Sequence, residues 1–269
     1  MQTVMKSPIL MIGLLFLSLS CQVIAASKSD RAKEKRWEEQ IVPSLLVGEP
    51  VKLKANGVEF LGLYAENDSD KDLGGVIILH GMGVHPAWPD IIDPLRMALP
   101  EHGWHTLSLQ MPILPNEVTE EKAYAPLFDE VPGRIQAGVD FLKAKGVTNI
   151  VIVGHSIGNV MAVYYMVKNP DPAVKAIAMV AAGPGYAKDP RTDILGNFSK
   201  IDVPVLDIYG SEDEQRISDN VKKRTQIARK QGYKNYTPVR VEGANHFFTN
   251  MQDVLIQRVS GWLKKNFDK

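Results

Sequence analysis

Three polar side chains follow apolar runs at places where the chain must turn: Ser156 in "IVIVGHSIGNV", Asp213 in "VPVLDIYGSED" and His246 in "TPVRVEGANH". A serine hydroxyl is a weak nucleophile at neutral pH. It attacks a carbonyl carbon only when an adjacent base removes its proton, and the base in turn needs a third group to orient it. Gly154 and Gly158 flank Ser156 and remove side chains where a sharp strand-to-helix turn would crowd. Such a turn would leave the hydroxyl projecting from its tip, and its chemistry requires an acid and then a histidine further along the chain.

Asp213 is the candidate acid. Its rivals are Asp207, which falls inside the apolar run, and Glu212, one place earlier. Of the six histidines, His80, His85, His102, His105 and His155 all precede the acid, and His246 alone follows it. A negative tetrahedral intermediate also needs preorganised N–H donors, each worth roughly 3 to 4 kcal/mol. The amide of Ile157, just after the serine, is one candidate. The second lies in "LHGMG" at Met82, with Gly83 next.

These residues need a rigid frame. Apolar runs at 76–81, 105–112, 150–156, 176–183, 203–213 and 237–246 read as strands, several of them continuous, as strands covered on both faces are. Helical spacing separates them at 90–103, 133–146, 158–169, 214–232 and 251–267. The alternation predicts an α/β fold with a doubly wound, mostly parallel sheet. Asn56-Gly57, between two alternating runs over 51–67, predicts an N-terminal antiparallel hairpin. In such sheets, sites form at the carboxyl ends of the strands.

The motifs "HGMG", "GHSIG", "GSED" and "NH", in that order over residues 51–267, resemble the α/β-hydrolase superfamily. More narrowly, residues 80–112 are similar to an exported bacterial family of α/β-hydrolase-like proteins of unknown function. The superfamily resemblance implies Ser156 as nucleophile, Asp213 as orienting acid, His246 as general base, the Met82 and Ile157 amides as oxyanion hole, and no cofactor. About twenty residues separate Gly183 from Val203, too few for a large cap. Selectivity would then fall to the loop 112–132, whose Tyr124, Leu127 and Phe128 either line a pocket or simply pack the loop. Gly83, His155, Tyr124 and Phe128 are the candidates for substrate contact.

Lys and Arg together number 31, as do Asp and Glu, for a formal net charge of zero. No global field attracts nucleic acid. Lys6 followed by the apolar stretch 8–19 and "VIAAS" reads as a signal peptide over 1–25. The stretch is shorter than the roughly 20 residues of a membrane span. Cys21, the single cysteine, lies inside it, so a lipid anchor there is the rival, although Ser18 stands where lipoprotein signals favour leucine. Either route predicts export, to the periplasm first of all. Residues 26–50 read as a charged, solvated arm or helix ahead of a domain over 51–269. A metal site from His80, His85 and Asp90 lacks a helical HExxH or paired cysteines, and none is expected. The sequence thus points to an exported serine hydrolase of carboxylesterase type acting on a small-molecule, lipid or glycan ester. A non-catalytic envelope binding protein on the same fold, or an acyltransferase using the same triad, are the alternatives.

Overall fold

Each of the six apolar runs contains a strand, and the strands at 74–79, 104–109 and 150–155 are buried throughout. The computed structural model describes residues 28–168, 170–185 and 188–268; residues 1–25, read above as a signal peptide, lie outside them with Cys21. The strands are β1 (Glu49–Ala55), β2 (Val58–Ala65), β3 (Gly74–Leu79), β4 (Trp104–Leu109), β5 (Ile150–His155), β6 (Val174–Val180), β7 (Val205–Gly210) and β8 (Tyr236–Val241). The helices are α1 (Arg31–Ile41), α2 (Ile92–Ala98), α3 (Val131–Ala144), α4 (Ile157–Lys168), α5 (Ile194–Phe198), α6 (Gln215–Gln231) and α7 (Gln252–Phe267).

The eight strands form one sheet in the order β1-β2-β4-β3-β5-β6-β7-β8. β1 and β2 are the antiparallel hairpin, closed by Asn56 and Gly57 at φ 51° and 81°, both in the left-handed region that a two-residue hairpin turn demands. β2 pairs antiparallel with β4, and all other pairings are parallel. β8 ends the order, which is why Pro238 is tolerated within it.

Alternate residues of the central strands feed two cores. Ile77, Leu79, Ile150 and Ile152 pack with Val131, Ile135, Val160 and Met161 of α3 and α4. Val76, Ile78, Val151 and Val153 pack with Ile92 and Leu95 of α2 and with Leu255 and Val259 of α7. The chain steps outward from β3 to β4 and then returns to the other side of β3 as β5. The loops after β3 and β5 therefore diverge and leave a crevice at their carboxyl ends.

Two expectations change. The helix over 90–103 stops at Ala98 and tightens into a 3₁₀ turn over Leu99–His102 that contains Pro100. The N-terminal arm is a docked helix. Lys33 and Glu34 of α1 are buried, Glu34 pairs with buried Arg134 of α3 at 2.9 Å, and Trp37 and Ile41 pack with Leu61 and Leu63. Helical periodicity reports an apolar stripe; α1 docks largely through charge, which that pattern does not register. Between β6 and β7, α5 is the one helix among the described residues.

Candidate active site

β5 ends at His155 and α4 begins at Ile157, which leaves Ser156 alone to make the turn. Its φ is 53°, a left-handed conformation that costs a non-glycine residue about 1 to 3 kcal/mol and persists only where the surroundings enforce it. Here a Cβ on Gly158 would lie 2.4 Å from the carbonyl oxygen of Leu79, and one on Gly154 would lie 2.7 Å from the amide nitrogen of Asn159. Asn159 fixes the turn from the helix side: its amide donates to the carbonyl of Val180 at 2.7 Å and its oxygen accepts from the Val180 N–H at 3.2 Å. The Ser156 N–H donates to the same carbonyl at 3.1 Å.

Asp213 and His246 meet because the loops after β7 and β8 are tied together. The Ser211 and Glu212 amides donate to the carbonyls of Val241 and Ala244, both at 2.9 Å, and a Cβ on Gly210 would lie 2.0 Å from the Ala244 oxygen. His246 Nδ1–H donates to Asp213 Oδ1 at 2.9 Å, with the carboxylate side chain fully buried. Of the rival acids, Glu212 is exposed. Asp207 is consumed by a buried pair: Arg224 Nε donates to it at 2.7 Å, and the Tyr236 hydroxyl donates to the same carboxylate.

Beneath His246 lies His155. Its Nε2–H donates to the His246 carbonyl at 3.1 Å, and the two rings are 5.1 Å apart. Burial, reinforced by the neighbouring His246 ring, depresses its pKa to about 3, so the imidazole is neutral. His155 supports the histidine loop and does not line the pocket at Ser156.

The loop after β3 passes directly over the serine. A Cβ on Gly81 would come within 3.4 Å of the Ser156 Cβ and 3.1 Å of His155 Nδ1. His80 locks this loop: Nδ1–H donates to the Gly81 carbonyl at 2.8 Å, and Nε2 accepts from the Met111 N–H at 2.9 Å. Burial depresses the His80 pKa to about 3, which keeps that acceptor free of a proton. The Gln110 amide adds a bond to His80 Nε2 at 3.1 Å. The Gln110 carbonyl accepts from Arg134 at 2.8 Å, and Arg134 is held by Glu34 and Glu130. A chain of buried polar groups thus runs from α1 to the loop carrying Met82 and Gly83.

Ser156, Ile157 and His246 line one pocket with Val160, Gly183, Gly185, Ile217, Glu121 and Arg216, enclosing about 280 Å³ of space that is partly open to solvent. Tyr124 and Phe128, considered above as substrate contacts, are not among these residues. Both are buried in the core with Leu127, because the 3₁₀ segment Glu121–Asp129 turns its apolar side inward. The Tyr124 hydroxyl instead reaches the backbone of Leu114 and Gly83. Sequence reasoning missed Asn159, Arg134 and Arg216. Asn159, an amide set in an otherwise apolar helix three residues after the serine, was a usable signal; nothing local marked the two arginines.

The strand order and the serine elbow define an α/β-hydrolase fold. The chain belongs to the family described as protein of unknown function (DUF3530), which matches residues 7–131 and 115–265. No curated protein matches the sequence. Among solved structures, Est1E from Butyrivibrio proteoclasticus is similar, with a TM-score of 0.63 and 17% identity over 82% of this chain and 99% of that one. An esterase from Pyrococcus furiosus has a TM-score of 0.63 and 18% identity, covering 81% and 90%. A dienelactone hydrolase from Anabaena variabilis has a TM-score of 0.62 and 18% identity, covering 81% and 96%. At such identities the likeness is one of fold.

Proposed function

We propose that the chain is an exported serine hydrolase, periplasmic in location, that cleaves a carboxylic ester through an acyl-enzyme at Ser156. The observation that carries this reading is the 2.9 Å bond from His246 Nδ1 to buried Asp213, with His246 and Ser156 lining one pocket. With Nδ1–H donating to the carboxylate, Nε2 is the basic nitrogen. It takes the Ser156 proton as Oγ adds to the ester carbonyl, and the Asp213 charge stabilises the imidazolium that forms. The developing oxyanion is received by the Ile157 N–H at the positive end of α4 and by the Met82 N–H in the loop that His80 holds. His246 then protonates the departing alcohol, and a water molecule repeats the sequence to release the acid. Neighbouring structures named as esterases or hydrolases on the same fold are consistent with this reading.

A fluorophosphonate probe applied to purified protein tests it. The wild type should form a covalent adduct on Ser156, and Ser156→Ala should form none and lose ester turnover with its fold intact. An adduct of equal stoichiometry in that variant would place the nucleophile elsewhere.

A further inference from the structure

Arg216 and Glu121 are 95 residues apart in sequence and meet at the wall of the serine pocket. Nη1 and Nη2 of Arg216 donate to the two oxygens of Glu121 at 3.0 and 2.9 Å, while Nε donates to Glu214 at 2.5 Å. We propose that this ion pair is a latch that closes the acyl end of the pocket, so that the site takes esters of short, uncharged acyl groups. The inference rests on Ser156 being the nucleophile.

Three features carry it. The pocket beside Ser156 has an apolar floor of Ile157, Val160 and Ile217, and the Arg216–Glu121 pair stands in the wall beside them. Only about 20 Å³ of the pocket admits the centre of a water-sized sphere, far less than sites that take drug-sized ligands offer. An acyl chain that extends along this floor meets the latch.

The second feature is geometric. Nε and both Nη nitrogens of Arg216 bond to two carboxylates, an arrangement that holds a guanidinium in one plane and orientation. Glu121 and, behind the wall, Glu214 outweigh Arg216, and this net negative charge repels an acyl group that bears its own carboxylate. Each guanidinium nitrogen of Arg216 is already bonded to a carboxylate.

The third is mechanical. Each partner of the latch projects from an element anchored elsewhere. Glu121 opens the 3₁₀ segment fixed by buried Tyr124, Leu127 and Phe128, and Arg216 opens α6, fixed by buried Ile217, Val221 and Arg224. The latch side chains are themselves 42% and 31% exposed, so removing them opens the pocket end and leaves both elements seated.

The test is a chain-length series of p-nitrophenyl esters, from acetate to decanoate, on wild type, Arg216→Ala and Glu121→Ala, with labelling by methyl and dodecyl fluorophosphonates alongside. Wild type should prefer acetate and butyrate and react faster with the methyl probe. Both variants should raise the decanoate-to-acetate ratio of kcat/KM by at least tenfold, mainly through KM, with a matching gain for the dodecyl probe. Circular dichroism checks that each variant is folded, and Glu121→Gln is the substitute if one is not. A wild type that prefers decanoate, or variants whose ratio stays within twofold, would overturn the latch while leaving the serine reading standing. Absence of any adduct in the wild type would overturn both.

Discussion

The imidazole of His155 donates to the backbone carbonyl of His246 at 3.1 Å. One histidine, held neutral, fixes the loop that presents the other. His155 and His80 both have folded pKa values near 3 against an ordinary 6.5. Because the unfolded chain takes up these protons first, their contribution is fully present above pH 6.5 and is lost as the pH falls towards 3. Each adds a slope approaching 1.4 kcal/mol per pH unit in that window. Urea unfolding at pH 7, 6 and 5 should show stability falling steadily, with a shallower slope in His155→Gln. A flat profile from pH 7 to 5 would rule out two buried neutral imidazoles.

Asp213 and Asp207 should fail in opposite ways. Asp213→Asn keeps the shape of the site but removes the charge opposite His246, so kcat should fall by about two to four orders of magnitude with little change in melting temperature. Asp207→Asn strands Arg224 in the core and should cost about 3 to 5 kcal/mol of stability, while the folded fraction still reacts with a fluorophosphonate. Scanning calorimetry beside single-turnover kinetics separates the two. A reversal of these profiles would make Asp207 the orienting acid.

Gly158→Ala tests the elbow. Its Cβ would press on the Leu79 carbonyl, between α4 and β3, where backbone cannot yield easily. A loss of about 1 to 3 kcal/mol is expected, seen as a melting point lower by roughly 2 to 12 °C. Labelling of Ser156 should slow as well. Unchanged melting would mean that helix and strand do not pack as described.

The buried path from Glu34 through Arg134 and Gln110 to His80 predicts that an N-terminal change is felt at the oxyanion loop. Glu34→Gln removes a charge from a pair whose two side chains are only 5% and 2% exposed. It should cost up to about 3 kcal/mol in chemical denaturation. On the proposed mechanism it should also lower kcat several-fold with KM little changed, because the loop amides would then act on the transition state. An effect confined to stability would show that α1 is only a brace.

Much of this architecture was legible in the sequence. The continuous apolar runs at 76–81 and 150–156 marked central strands because both faces of β3 and β5 are covered, and Asn56-Gly57 marked the hairpin through its backbone requirement. That Asp213 would meet His246, and that His246 would share a pocket with Ser156, was legible because each stands just past a strand end, where the sheet topology gathers loops. What stayed hidden depends on partners distant in the chain. Nothing local distinguishes Arg224, fully buried against Asp207, from Lys222, which remains in solvent. The docking of α1 rests on Arg134, one hundred residues away from Glu34. Tyr124 and Phe128 read as pocket residues because an aromatic in a proline-rich loop gives no sign of which way the loop turns.

The left-handed backbone at Ser156 has a thermal corollary. Glycine adopts that conformation freely, so Ser156→Gly should yield an inert protein that melts a few degrees higher than the parent. The molecule is, by this account, less heat-resistant than its own scaffold allows, and part of that deficit sits at the residue whose hydroxyl the proposed mechanism needs held forward.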